Sequence, residues 1–489
     1  KPNSYFAKKY LANKYKSLSW YNTLNFIDFK SYGFNKPSAK EAFIIDFSDN
    51  DLKYNDSIFT IIKNRNHFSD DLKEWRKTNL IFNKKNYKVK YKFHGTDLFI
   101  YHNNRFSLKI KSKQKINNAK KFNLISGLVE GSFINIFLSL QSQRRMLIGP
   151  DPGSTVLANI NQRVEDFWFT RDISEDFLAS NFLITDYKIF KNSDNWDRNG
   201  FGHYSELAKF YYYLDSENSD SANEVLKYNK FKYFKEKVVK NSENEKLNNI
   251  DYKYMGRFLA NLYFFYDPHY IYGDNNRLLF DYKSNKVYPI ARNEGLYKKV
   301  SSVLDFDEAL YNYRGESATQ ILYKKSLCND TIKFYRDKEL FKIINNKDKV
   351  LGDLDSVYNK SYNYHKYYNI SFIDLRYNYK QMINLINHNS NLIEKYLNNG
   401  EVILAYQKSK DSISVATDYR VPLKMINTVT NNSYKIKGVN FYYKKGKINF
   451  ELKESKIHLK SKIDKSHLRF VNLVTGDTIP QKSIIFNYF

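Results

Sequence analysis

At 489 residues and 58.3 kDa the chain exceeds what one hydrophobic core organises, so roughly two or three domains are expected. A single cysteine, Cys328, excludes an internal disulfide or a cysteine-cluster metal site. The nine scattered histidines lack the helical pairing of a zinc enzyme, and no apolar run of about 18 residues is present to cross a membrane. The net charge of +27 would suit nucleic acid, but Lys, Asn, Ile, Tyr and Phe are inflated together, as an AT-rich coding sequence produces. The basic residues are interleaved with Asp and Glu without a long block, so a nucleic-acid partner is not expected.

The chain starts at Lys1 without a Met, which leaves open a signal peptide or membrane anchor upstream and an extracytoplasmic location. Residues 1–86 read as a lead-in with short strands, including a strand over Ala42–Phe47 and a helix near Asp70–Lys77. Alternating residues then give a strand from Lys88 to Phe93, a turn at His94-Gly95-Thr96-Asp97 and a second strand through Phe106, Leu108 and Ile110. Ser107, Lys109 and Lys111 share the opposite face of that second strand.

Phe133, Ile136, Phe137 and Leu140 recur at helical spacing, so Ser132–Leu147 should be a helix that stops before Gly149-Pro150-Asp151-Pro152-Gly153. Thr155–Ile160 and Val164–Thr170 form a hairpin around Asn161-Gln162-Arg163, followed by a helix capped by Ser174. Asn- and Ser-rich loops and a charged helical stretch over Ala222–Lys240 come next. Asp251–Tyr266 is a helix with Met255, Phe258, Leu259 and Leu262 on one face. Residues 301–399 form a helical extension ending at Asn399-Gly400. Residues 400–489 switch to short alternating strands, a β-sandwich-like domain.

The segment between the Asp251 helix and the extension, DPHYIYGDNNRLLFDYKSNKVYPIARNE, carries the most chemistry. Arg277–Tyr282 and Lys286–Ile290 pair as a hairpin turned at Lys283–Asn285, with His269, Asp274, Asn275 and Asn293 at its open end. Carboxylates and amides at strand ends hold Mg²⁺ and align oxygens in phosphoryl transfer, where little covalent work falls to the protein.

These residues, in this order, resemble the spore-coat protein H (CotH) kinase family over residues 87–300. The likeness rests on the strands KVKYKFHG and RFSLKIK, the hairpin VLANINQRVEDFWFT, and the block holding His269, Asn275, Arg277 and Pro289-Ile290. The resemblance implies an α+β chain with an atypical protein-kinase-like domain that uses ATP and Mg²⁺. Gly95 would lie over the nucleotide, with Lys109 or Lys111, and Arg277, on its phosphates; Asp267, His269 and Asn275 would be catalytic. Asp274, Asn275, Asn293 and Glu294 would hold the metal.

The sequence departs from the family in three places. Arg171 stands where active relatives end the hairpin in glutamate, Asn293 stands where an aspartate holds metal, and Asp267 lies eight residues before Asn275, against about five in ordinary kinases. The expected activity is phosphoryl transfer to a protein Ser or Thr, or its degenerate pseudokinase form. The alternatives are a non-catalytic scaffold engaging a surface polymer or partner protein, and a basic glycan- or nucleic-acid-binding protein.

Overall fold

Along residues 42–171 apolar side chains alternate with polar ones, and the strands this pattern builds close on themselves. The computed structural model describes residues 42–65, 72–94, 107–126, 132–146, 148–160, 163–171, 186–193, 209–213, 249–266, 277–290, 299–302, 318–367, 373–409, 411–444, 447–459 and 463–488, with single residues between. Seven strands, β1 (Ala42–Ile45), β2 (Arg76–Phe82), β3 (Lys85–His94), β4 (Ser107–Ile116), β5 (Ala119–Ser126), β6 (Ser154–Ile160) and β7 (Arg163–Arg171), form a closed barrel in the order β1-β2-β3-β4-β5-β7-β6. Parallel pairing of β1 with β6 closes it.

Two of its hairpins turn on left-handed pairs, Asn83-Lys84 (φ 51° and 62°) and Asn117-Asn118 (φ 47° and 64°). Asparagine tolerates that conformation, and such two-residue turns match the strand twist. The interior is packed with rings: Phe43 stacks on Phe82 with centroids 4.3 Å apart, and Phe122 lies 5.0 Å from Phe169. Helix α1 (Asp49–Arg65) adds Ile58 and Phe59 to the same core.

The expected helix near Asp70–Lys77 is not borne out at its end, because Arg76 and Lys77 pair with β3 as the start of β2. The same pairing places residues 86 and 87 inside a hairpin, so the expected lead-in up to residue 86 contributes β1 and β2 to the barrel.

At the start of α1 the Ser48 hydroxyl donates to Asp51 (2.7 Å) and accepts the Asp51 backbone N–H, while Arg76 Nε donates to the other carboxylate oxygen at 2.8 Å. Burial raises the Asp51 carboxyl, but the Ser48 and Arg76 contacts outweigh it and hold it below the usual 3.8.

Helix α2 (Ser132–Arg145) lies against β6 and β7 on one side and meets α3 (Tyr252–Phe265) and the later helices on the other. The later helices are α4 (Ala318–Cys328), α5 (Asp330–Asn345), α6 (Lys347–Tyr367) and α7 (Ile373–Asn398), of which α6 and α7 make that contact. A second sheet, in the order β11-β10-β8-β9, consists of β8 (Tyr187–Ser193), β9 (Lys209–Tyr213), β10 (Arg277–Asp281) and β11 (Lys286–Pro289).

The Asp251 carboxylate caps α3 by accepting from Tyr254 N at 2.8 Å, and the helix is buried on nearly all sides, well beyond the expected single stripe. Its neighbour α5 crosses at Gly256, where a Cβ would sit 2.5 Å from that of Tyr335. The expected helical extension thus shares one continuous core with α3 and α2. Among the described residues no helix is long and apolar enough to cross a membrane.

Beyond Gly400 the strands are β12 (Ile403–Ser409), β13 (Ser412–Thr417), β14 (Leu423–Asn427), β15 (Ser433–Ile436), β16 (Asn440–Lys444), β17 (Lys447–Glu451), β18 (Ser455–His458), β19 (Leu468–Asn472) and β20 (Ile484–Tyr488). Sheets ordered β18-β13-β12-β20 and β15-β14-β19 face a common core holding Ile403, Val415, Met425 and Phe470. Asn472 fastens this module to the helices by donating to the Leu397 carbonyl at the end of α7 (2.9 Å). The chain is therefore a mixed α+β protein.

Two expectations follow. Gly256→Ala should destabilise the protein by about 1–3 kcal/mol in urea unfolding, because the added methyl forces α3 and α5 apart. For Asp51, whose folded pKa is depressed, the stabilisation is present above 3.8 and lost as pH falls through the folded value. The stability gap between wild type and Asp51→Asn should therefore close on acidification below that pH.

Candidate functional site

Of the expected site residues, Lys109, Lys111 and Arg277 belong to the described part of the chain. Gly95, Asp267, His269, Asp274, Asn275, Asn293 and Glu294 lie outside the described residues, as do the Ser174-capped helix and most of 222–240.

On β4, Leu108 and Ile110 point into the barrel, so Lys109 and Lys111 project from its outer surface. Their surroundings differ. Lys111 is exposed, between Lys90 and Lys121 on the flanking strands. Lys109 is half-buried between Lys92 on β3 and Asn123 on β5, and Asn123 in turn faces Thr170 on β7. Asn123 and Thr170 are both buried, at 5% and 8% exposure. The row Lys92, Lys109, Asn123, Thr170 therefore runs from the open side of the barrel into its covered side, where α2 rests on β6 and β7 beside the outward-facing, buried Leu157 and Trp168.

Beyond Thr170 the row meets the turn that leads into β6. Thr170 Oγ1 donates to the Asp151 carbonyl (3.3 Å) and Trp168 Nε1 to the Pro152 carbonyl (2.9 Å). Gly153 has φ +64°, and a Cβ there would lie 1.9 Å from the Phe169 carbonyl oxygen, so no side chain fits. The Asp151 carboxylate accepts three hydrogen bonds from Arg171: the backbone N–H (2.9 Å), Nε (2.9 Å) and Nη2 (3.2 Å). Arg171, at the position where the CotH resemblance implies an acid, is thus held in a bidentate clamp with a carboxylate brought in by the turn.

Helix α2, which covers this region, contains no Asp or Glu. Its C-terminal half supplies Gln141, Arg144 and Arg145. Gln141 Nε2 donates to Asp353 Oδ2 on α6 (2.8 Å), and Arg144 pairs with the same oxygen. Arg145 donates to the Gln141 carbonyl (2.7 Å), to Gln141 Oε1 (2.8 Å) and to Asn261 Oδ1 on α3 (3.3 Å). Burial pushes the Arg145 guanidinium down to about 10 against the opposing pull of Glu339 and Asp353, so it stays protonated at neutral pH.

Arg277 opens β10 in the second sheet, opposite Lys191, and its carbonyl accepts from Ile290 N at 2.9 Å. The structure brings Lys109 and Lys111 to one face and sets Arg277 on a different sheet. Both anchors of the 267–276 segment are fixed. Tyr266 ends α3 in a left-handed conformation (φ 47°), its N–H bonded to Leu262 and Tyr263, and Leu278 is buried at the start of β10.

The buried Tyr254 hydroxyl lies 2.7 Å from the Pro289 carbonyl and 3.2 Å from that of Ile148, joining α3, the Pro-Ile strand and the turn before β6. Burial raises its pKa well above the ordinary value, so it remains a donor. Among the described residues no three His, Cys, Asp or Glu side chains converge to hold a metal ion.

No family model and no curated protein matches this chain. The candidate site therefore rests on its own residues. Asn123, Asp151 and Tyr254 were not among the sequence candidates. Asn123 carried one signal, an amide at an outward position in the otherwise apolar FNLI stretch. Asp151 was legible only as turn punctuation, and Tyr254 looked like one more aromatic on a buried helix.

A double-mutant cycle tests the clamp. Asp151→Ala and Arg171→Ala should each destabilise the protein, with a coupling energy of about 1–3 kcal/mol by urea denaturation.

Proposed function

We propose that the chain is a kinase-like protein of the CotH type in degenerate, pseudokinase form, which binds a nucleoside triphosphate beside Lys109. The supporting observation is the row from Lys109 through Asn123 to Thr170, which carries a half-buried ammonium from the open barrel face toward the helix-covered junction. The order of parts agrees with that reading: lysine-bearing strands, a helix on the sheet, a hairpin, a helix, and then a polar segment closed by a second hairpin. In this reading the two facing sheets after Gly400 are the β-sandwich-like appendage.

Lys109 would act as a point charge on the phosphates, and the Asn123 amide and Thr170 hydroxyl would fix its orientation. Magnesium, held by Asp274, Asn275, Asn293 and Glu294, would neutralise phosphate charge. Kinases pair their phosphate lysine with a helix glutamate, and phosphoryl transfer needs that pair in place. The helix on this sheet has no acid, and Arg171, at the other acidic position, is taken up by Asp151. Two carboxylates of an active site are therefore replaced, which favours binding over transfer.

Ligand-dependent unfolding is the test. ATP with Mg²⁺ at one hundred times its Kd should raise the unfolding free energy by about 2.7 kcal/mol. Lys109→Ala should abolish the gain and Lys111→Ala should keep most of it, with phosphate transfer near background in all three proteins. Absence of any nucleotide effect would transfer the conclusion to a non-catalytic scaffold whose C-terminal module engages a partner protein or surface polymer.

A further inference from the structure

Lysines that are spread over some 45 residues of sequence come together on the barrel. Lys77, Lys90, Lys111 and Lys121 stand directly opposite one another on β2, β3, β4 and β5. With neighbouring strands about 4.8 Å apart, the row spans about 14 Å. Lys88, Lys92, Lys109 and Lys113 extend it along β3 and β4 on the same outer face, and none of the four strands contains an Asp or Glu.

Like charges directly opposite one another repel and weaken a sheet, so this arrangement costs the free protein stability that a polyanion would restore. In α6, by contrast, basic residues are interleaved with acids, as in its KDKVLGDLDS start.

We propose that this outer face of β2–β5 binds the phosphate backbone of nucleic acid. Its cations are spaced along two directions, with apolar side chains only toward the edges, Ile81 on β2 and Ile125 on β5, which suits a charged chain better than a bilayer, where peripheral binding combines charge with inserted apolar surface. At its edge stands Trp75, 38% exposed, with Lys92 Nζ 5.1 Å from its ring centroid, which offers a stacking surface to an unpaired base. The inference goes beyond the nucleotide reading and does not depend on it, since the exposed cations here, Lys77, Lys88, Lys90, Lys111 and Lys113, are other than Lys109.

The test is binding of a fluorescent single-stranded oligonucleotide of mixed sequence to the whole chain over a range of salt. Replacing Lys77, Lys90, Lys111 and Lys121 together by Gln should weaken binding at least about tenfold and flatten the plot of log affinity against log salt by about 3, from about 0.7 per phosphate contact. Replacing the exposed Lys349, Lys360, Lys380 and Lys395 by Gln removes equal charge from the helices and should leave the slope within about 1 of wild type. If the quadruple variant fails to fold, Lys111→Gln alone should flatten the slope by about 0.7. Equal losses from both sets, no oligonucleotide binding, or tighter binding to vesicles of anionic lipid than to the oligonucleotide would each overturn the proposal.

Discussion

The arrangement depends on how α2 is held. This short helix is shared by the barrel, through β6 and β7, and by the helical core, through α3 and α6. Its apolar residues do part of the work: Phe133 meets Tyr358 edge-on with centroids 6.0 Å apart, and Phe137 meets Phe265 at 5.8 Å. The rest is polar. Gln141 and Arg145 link α2 to α3 and α6 through Asn261 and Asp353, and Ser142 accepts from Asn261 Nδ2 at 2.9 Å. A buried network of this kind adds little net stability over an apolar equivalent, but leaving one member unpaired is costly, so it fixes one docking geometry. That geometry decides which part of the barrel is covered and which is open.

The barrel exterior therefore has two chemical characters. Where α2 rests, the outward side chains of β6 and β7 are Leu157, Trp168 and Thr170, all buried. Across β2 to β5 they are mostly lysines. Lys109 and Asn123 sit at the boundary, and a half-buried cation opposite a buried amide differs from the exposed Lys77, Lys88, Lys90, Lys111 and Lys113. The turn from Gly149 to Gly153 defines this boundary, pinned by the Asp151–Arg171 clamp and, through Ile148, by the Tyr254 hydroxyl.

Local pattern made much of this legible. The β6–β7 hairpin, the helices at 132–145, 252–265 and 373–398, the β10–β11 hairpin and most strands after Gly400 follow from periodicity and turn residues. Long-range pairing did not show. Nothing in AFII marks it as the strand that closes a barrel with β6, and the Asn117-Asn118 turn sits in a lysine-rich run whose alternation is partly interrupted.

The lysine face was hidden for the same reason. In sequence the cations looked dispersed; only the strand registers bring Lys77, Lys90, Lys111 and Lys121 into line. At the candidate site Lys109 was readable as a strand residue, whereas its difference from Lys111 depends on neighbours from β5 and β7. The partner of Arg171 came from a loop twenty residues upstream.

Amide hydrogen exchange on the intact chain, with and without ATP and Mg²⁺, tests the central claim most directly, because it reads each element separately. Slowed exchange in β4, β5 and α2, lost in Lys109→Ala, is the expected result. Unchanged exchange in those elements at saturating nucleotide, or protection confined to the strands after Gly400, would contradict a phosphate site at the junction of barrel and helix.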